Sequence, residues 1–144
     1  MMQATMATIS DSVLRAAQRI NKLLALGGKE SGLTPRQISV LLALSTEDGL
    51  SQVDIMDRCS MDRSTTSSVI SLMKKKGLIT RVRSGEDRRA FVVKLSVAGE
   101  DLVKQAKKLR SDVEKTIEGV MRQPVKTESD LIAIADIQIQ EKAK

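Results

Sequence analysis

The stretch DRSTTSSV, residues 62–69, sets five hydroxyl-bearing side chains in succession, Ser64 to Ser68, directly after an aspartate and an arginine. Serine and threonine compete with the backbone for its hydrogen bonds and make mediocre helix interiors. Such a run suits either a solvated helix start or a surface that bonds a polar partner. A second group follows it: Arg81, Arg83, Arg88 and Arg89 surround the turn residues Gly85, Glu86 and Asp87. The chemistry available to both groups is non-covalent. Hydroxyls donate or accept hydrogen bonds, and guanidiniums grip phosphate or carboxylate oxygens.

Composition narrows the partner. Among 144 residues, Lys and Arg outnumber Asp and Glu by 24 to 18. That balance fits a polyanionic partner such as nucleic acid, with a solvated basic surface as the plainer alternative. There is no histidine, so the usual general base and zinc ligand are both missing. One cysteine, Cys59, forms no internal disulfide and points to a reducing compartment. Phe91 is the sole aromatic residue, which disfavours single-strand binding by base stacking. No nucleophile–base set, phosphate loop or metal-ligand cluster is visible, so the chain reads as no enzyme, with no cofactor and no metal. The longest purely apolar run, VLLAL at 40–44, is far too short for a bilayer span. A cytoplasmic protein with no membrane partner is the expectation.

The elements that must position these residues are legible from periodicity. Ile9, Val13, Ala16, Ile20, Leu23 and Leu24 share one face of a first helix that Gly27 and Gly28 end. In LTPRQISVLLAL, Thr34 caps a second helix, Pro35 takes its first position and Gln37 completes a capping box. Ser51 caps a third helix, SQVDIMDRC, and Asp62 a fourth that runs from Arg63 to about Lys76, with Gly77 as left-handed stop. LITRVRS and AFVVKLS flank GEDRR as a β-hairpin. Ser96 then caps a long helix with Leu102, Ala106, Leu109, Val113, Ile117 and Val120 as its apolar line. Pro124 is expected to end it, and SDLIAIADIQIQ to form one more apolar helix.

A mostly α chain with one small β-hairpin in this order describes a winged helix-turn-helix. Its winged region spans 34–96, and helices over 9–27 and 97–142 form a dimerisation region within the single chain 1–144. Such a module lays the second helix of its pair in the DNA major groove, where base edges differ. On a helical wheel Thr66, Val69, Ile70 and Met73 face inward. Ser64, Ser67, Ser68 and Ser71 face outward, with Arg63 and Thr65 at the N-terminal end. Short hydroxyls let the helix sit close to bases or phosphates. Arginines at the wing tip suit a narrow minor groove, whereas Arg81 and Arg83 read equally well as solvated strand residues. Asp87 is read as a structural residue of the wing that holds an arginine or caps the turn. The last-turn lysines 74–76 fit the helix dipole as well as phosphate. The apolar surplus at both ends exceeds what one small core covers, and a second copy is its simplest cover.

LTPRQISVLLAL, DRSTTSSVISLMKKKGLITR and GEDRRAFVVKLSVAGEDL resemble the signature segments of the MarR family of bacterial transcriptional regulators over roughly residues 9–122. The resemblance implies a homodimer with interlocked terminal helices on a palindromic double-stranded DNA operator. By it, Arg63, Ser64, Thr65, Ser67 and Ser68 lie on the recognition helix, and Arg83, Arg88 and Arg89 on the wing, with Arg88 in the minor groove. It also implies a small lipophilic or anionic effector that releases the DNA. Aromatics that commonly line such sites are absent here; Ile38 follows Gln37, and Arg19 is the candidate counter-charge for an effector. Cys59, at the helix-turn-helix junction, reads as a small filler rather than a redox sensor. The reading is therefore a ligand-responsive repressor, the alternative being a winged-helix protein-interaction module without a DNA target.

Overall fold

The computed structural model describes residues 8–87 and 89–137. They form α1 (Ile9–Gly27), α2 (Pro35–Leu44), α3 (Gln52–Cys59), α4 (Arg63–Lys75), β1 (Ile79–Arg83), β2 (Phe91–Leu95), α5 (Val97–Glu118) and α6 (Pro124–Ala135). Residues up to Val113 form one compact unit, and those from Glu114 a second.

In the first unit, side chains satisfy the helix starts. Thr8 with Asp11, Thr34 with Gln37, and Ser51 with Asp54 close reciprocal capping boxes on α1, α2 and α3. Behind those starts sits the core, with Ile38, Leu41, Leu50, Ile55 and Met73 fully buried. α2 is the centre of it, which accounts for its nearly unbroken apolar sequence. α3 and α4 form the helix pair, and Ser60 between them adopts φ 50°, ψ 46°. Gly77, at φ 71°, turns the chain out of α4 into the hairpin.

β1 and β2 pair antiparallel in the register Ile79 to Leu95 through Arg83 to Phe91. Leu50, just before α3, adds an isolated bridge to Val93. Ser96 joins hairpin to α5: its hydroxyl donates to the Gly77 carbonyl at 2.6 Å and accepts from the Gly99 amide at 3.1 Å. Gly99 packs so tightly on the Leu78 carbonyl that no Cβ fits there. These elements make a winged helix-turn-helix in a mostly helical chain.

The long helix differs from its expected pattern. Its buried line is Gly99, Val103, Ala106 and Val113, while Leu102 and Leu109 are only half-buried. The helix also stops at Glu118, so Val120 lies beyond it and is exposed. Pro124 does not terminate α5; it opens α6, where its missing N–H is no loss in the first turn. The second unit accordingly holds a helix that begins earlier than SDLIAIADIQIQ alone suggested, and residues past 137 lie outside the described ones. α6 buries none of its residues, and α1 buries only Leu24. Among the described residues no helix is long and apolar enough to cross a membrane.

The left-handed backbone at Ser60 strains a residue that carries a Cβ. Ser60→Gly is expected to raise stability by about 0.5–1 kcal/mol, and Ser60→Val to lower it by about 1 kcal/mol, read as opposite shifts of the urea midpoint.

Candidate nucleic-acid interface

α4 has a buried back and a polar front. Thr66 and Met73 are fully buried, while Val69 and Ile70 are half-buried. The Thr66 hydroxyl donates to the Asp62 carbonyl at 2.8 Å, so the one polar group turned inward is satisfied. Arg63, Ser64, Ser67 and Ser68 are exposed, and Thr65 is half-buried.

The hydroxyls are not equivalent. Asp62 accepts from the Thr65 amide at 2.7 Å and from the Thr65 hydroxyl at 2.9 Å, which commits Thr65 to the cap. These bonds, the backbone one foremost, hold the Asp62 carboxyl below the ordinary carboxylate range. Ser67 Oγ accepts from Gln52 Nε2 at 2.6 Å. Ser64 and Ser68 make no side-chain hydrogen bond among the described residues.

On the hairpin, the Arg81 guanidinium carbon lies 4.4 Å from the centre of the Phe91 ring, and that of Arg83 lies 5.5 Å from it. The sole aromatic residue thus gathers two cations on one face of the wing. Asp87 closes the turn: its carboxylate accepts from the Arg89 amide at 2.9 Å and its carbonyl from the Ala90 amide at 3.0 Å. Arg89 is exposed, and Arg88 lies outside the described residues. Between α4 and the hairpin runs a cleft of about 270 Å³, with Gln52, Ser67, Ser71, Lys74, Thr80 and Arg81 on its walls.

The loop after α2 ties the module together. Glu47 pairs with Arg58 of α3, and Asp48 with Lys94 of β2 at 3.0 Å. Both pairs are solvent-exposed and individually weak. Sequence reading missed Gln52, these two pairs and the ring beneath Arg81. Pairing Arg83 with Phe91 in the hairpin register would have revealed the ring, whereas nothing in the spacing of Gln52 and Ser67 marks their contact.

Two other residues sit apart from this surface chemistry. Arg19 is exposed on α1 without a partner among the described residues. Cys59 is half-buried at the end of α3, and burial pushes its thiol up against the opposing pull of Arg110 and Arg58. That shift leaves less thiolate. Among the described residues no group of side chains could hold a metal ion.

The fold and this surface define a winged helix-turn-helix protein. Residues 31–90 match the MarR family. The uncharacterized HTH-type transcriptional regulator YdgJ of Bacillus subtilis is 25% identical over 97 residues, covering 67% of this chain; the chain spans 59% of that relative's length. BpsR of Bordetella bronchiseptica, a structure concerned with regulation of its DNA binding by 6-hydroxynicotinic acid, superposes with a TM-score of 0.83 at 25% identity, covering 91% of this chain and 95% of that one. CouR, a transcriptional repressor bound to a 23-mer DNA duplex, superposes with a TM-score of 0.73 at 25% identity, covering 90% of this chain and 92% of that one. The winged-helix segment is thus similar to the MarR family, and the whole fold is similar to those of BpsR and CouR.

Asp62, Asp54 and Asp11 are all lowered: Asp11 and Asp54 by bonds donated from their N-cap residues Thr8 and Ser51, and Asp62, itself the cap, by bonds donated from Thr65. A carboxylate lowered by folding stabilises the native state above its unfolded value and loses that effect as pH falls through the native one. The contribution of these three carboxylates to stability should therefore decline on acidification below the ordinary carboxylate range. Asp62→Asn, which retains a capping side chain, should flatten that decline in urea titrations across acidic pH.

Proposed function

We propose that this chain is a sequence-specific double-stranded DNA-binding transcriptional regulator, a homodimeric repressor released from a palindromic operator by a small lipophilic or anionic effector. The observation that carries the reading is the pairing of a hydroxyl-fronted helix, anchored from behind by Thr66 and Met73, with an arginine-bearing hairpin across one cleft. α4 would enter the major groove with Arg63, Ser64, Thr65, Ser67 and Ser68. Arg83, Arg88 and Arg89 of the wing would reach the backbone and the adjacent minor groove, with Arg88 the deepest. The DNA-bound neighbour CouR supports this placement.

Dimerisation is supported by apolar side chains left uncovered on α1, where Ile9 and Leu26 are 79% and 56% exposed. A second copy would bury them and set two modules roughly 34 Å apart along the duplex, one helical turn between half-sites. BpsR supports an effector-responsive reading. Arg19 is the residue proposed to meet an anionic effector, in a pocket of aliphatic and methionine side chains. Residence in the cytoplasm follows from a DNA target and a free cysteine.

Binding of the purified chain to mixed-sequence duplex across a salt series tests the reading. Affinity should fall linearly with salt on logarithmic axes, as counterion release requires. Retention that ignores salt would favour the protein-interaction alternative. Arg88→Ala should weaken binding to a selected operator about fivefold or more while leaving the dimer intact in sedimentation. Lys74→Ala should weaken all sequences alike and reduce the salt slope by about 1.

A further inference from the structure

Gln52 belongs to α3, yet its side chain is the one group outside α4 that a described hydrogen bond joins to the outward serines. Its position is held from both sides. Leu50, two residues earlier and fully buried, exchanges backbone bonds of 3.0 and 2.8 Å with Val93 of β2. Ser51 is locked by the capping box, with its amide donating to Asp54 at 3.0 Å and its hydroxyl accepting from the Asp54 amide at 3.1 Å. Gln52 therefore begins its helix from a backbone fixed to the wing strand. Ser67 is fixed too, because the neighbouring Thr66 is buried and bonded to Asp62.

A serine hydroxyl offers one proton and two lone pairs. Ser39, Thr66 and Ser129 donate theirs to the carbonyl four residues back in their own helices. Ser67 makes no such bond among the described residues. Gln52 fills one of its lone pairs, and the proton remains for whatever occupies the exposed face and the cleft beside it. Ser68 has no comparable partner and keeps both polarities open.

We propose that Gln52 is a positioning residue for sequence recognition: by donating to Ser67 it turns that hydroxyl into a hydrogen-bond donor toward DNA. Ser67 then selects an accepting base edge, such as guanine O6 or N7 or thymine O4, against cytosine, whose major-groove edge offers the N4 amine. The inference rests on α4 being the DNA-facing helix. It adds the polarity of one contact and the residue that sets it.

Selection from a randomised duplex library at matched ionic strength tests this with the full chain and its Ser67→Ala, Gln52→Leu and Gln52→Glu variants. Ser67→Ala should lose preference at one base pair of each half-site. Gln52→Leu should lose it at the same base pair by about fivefold, with unchanged salt slope and unchanged binding to non-specific duplex. Glutamate can only accept, so Gln52→Glu should draw the Ser67 proton inward and shift the preference toward cytosine or adenine, whose amines donate. Three results overturn the proposal: a Ser67→Ala motif identical to wild type, Gln52 variants that keep the wild-type base, or Gln52→Leu weakening every sequence equally. A wild-type chain that enriches no motif overturns the DNA reading itself, and this inference with it. The failures are told apart because only the last appears in the unmutated protein.

Discussion

A helix that presents hydroxyls outward must be held from behind, and in this chain Thr66 and Met73 hold it. Both are fully buried, about two turns apart on the same face of α4. Thr66 is the harder residue to place there, because an unbonded hydroxyl in a core would cost roughly 1–3 kcal/mol. Its bond to the Asp62 carbonyl removes that cost. Asp62 thus serves α4 twice, through a carboxylate that caps the first turn and a carbonyl that accepts the inward hydroxyl. With the back satisfied, Ser64, Ser67 and Ser68 have no packing role and remain at the surface.

The wing depends on the same core by a different route. A two-stranded hairpin is marginal in water by itself. Here Leu50 extends the pairing through Val93, and Ser96 and Gly99 press the base of the hairpin against the exit of α4. The bridge at Leu50 also fixes where α3 starts, so the hairpin and the helix pair share a common reference point. The cleft between them is lined by residues from α3, α4 and both strands. Its shape follows from backbone contacts rather than from the exposed ion pairs at Glu47 and Asp48, which trim the geometry of the loop beside it.

The helices outside this module have another balance. α1 is well capped at its start but buries only Leu24, and α6 buries nothing within its own unit. Amphipathic helices derive most of their stability from packing an apolar face. Faces so little covered are physically incomplete in a single chain, which is why a second copy belongs to the proposed assembly.

The sequence by itself determined the local events, because each depends on a few adjacent residues. Thr34 with Gln37, Ser51, Asp62 and Gly77 marked where helices begin and end, and the β-branched runs around GEDRR marked the hairpin. The inward and outward faces of α4 followed from the helical period alone. Where two readings of local signals competed, the sequence was ambiguous: Pro124 suited a helix end as well as a helix start, and the spacing on α5 did not say that Val103 would replace Leu102 in the buried line. Only the tertiary structure decided which side chains meet across elements. Gln52 reaches Ser67 because Leu50 pairs with Val93, far away in the chain, and Phe91 lies beneath Arg81 because of the hairpin register. Such contacts are set by how separate elements pack, and no short-range pattern of residues encodes them.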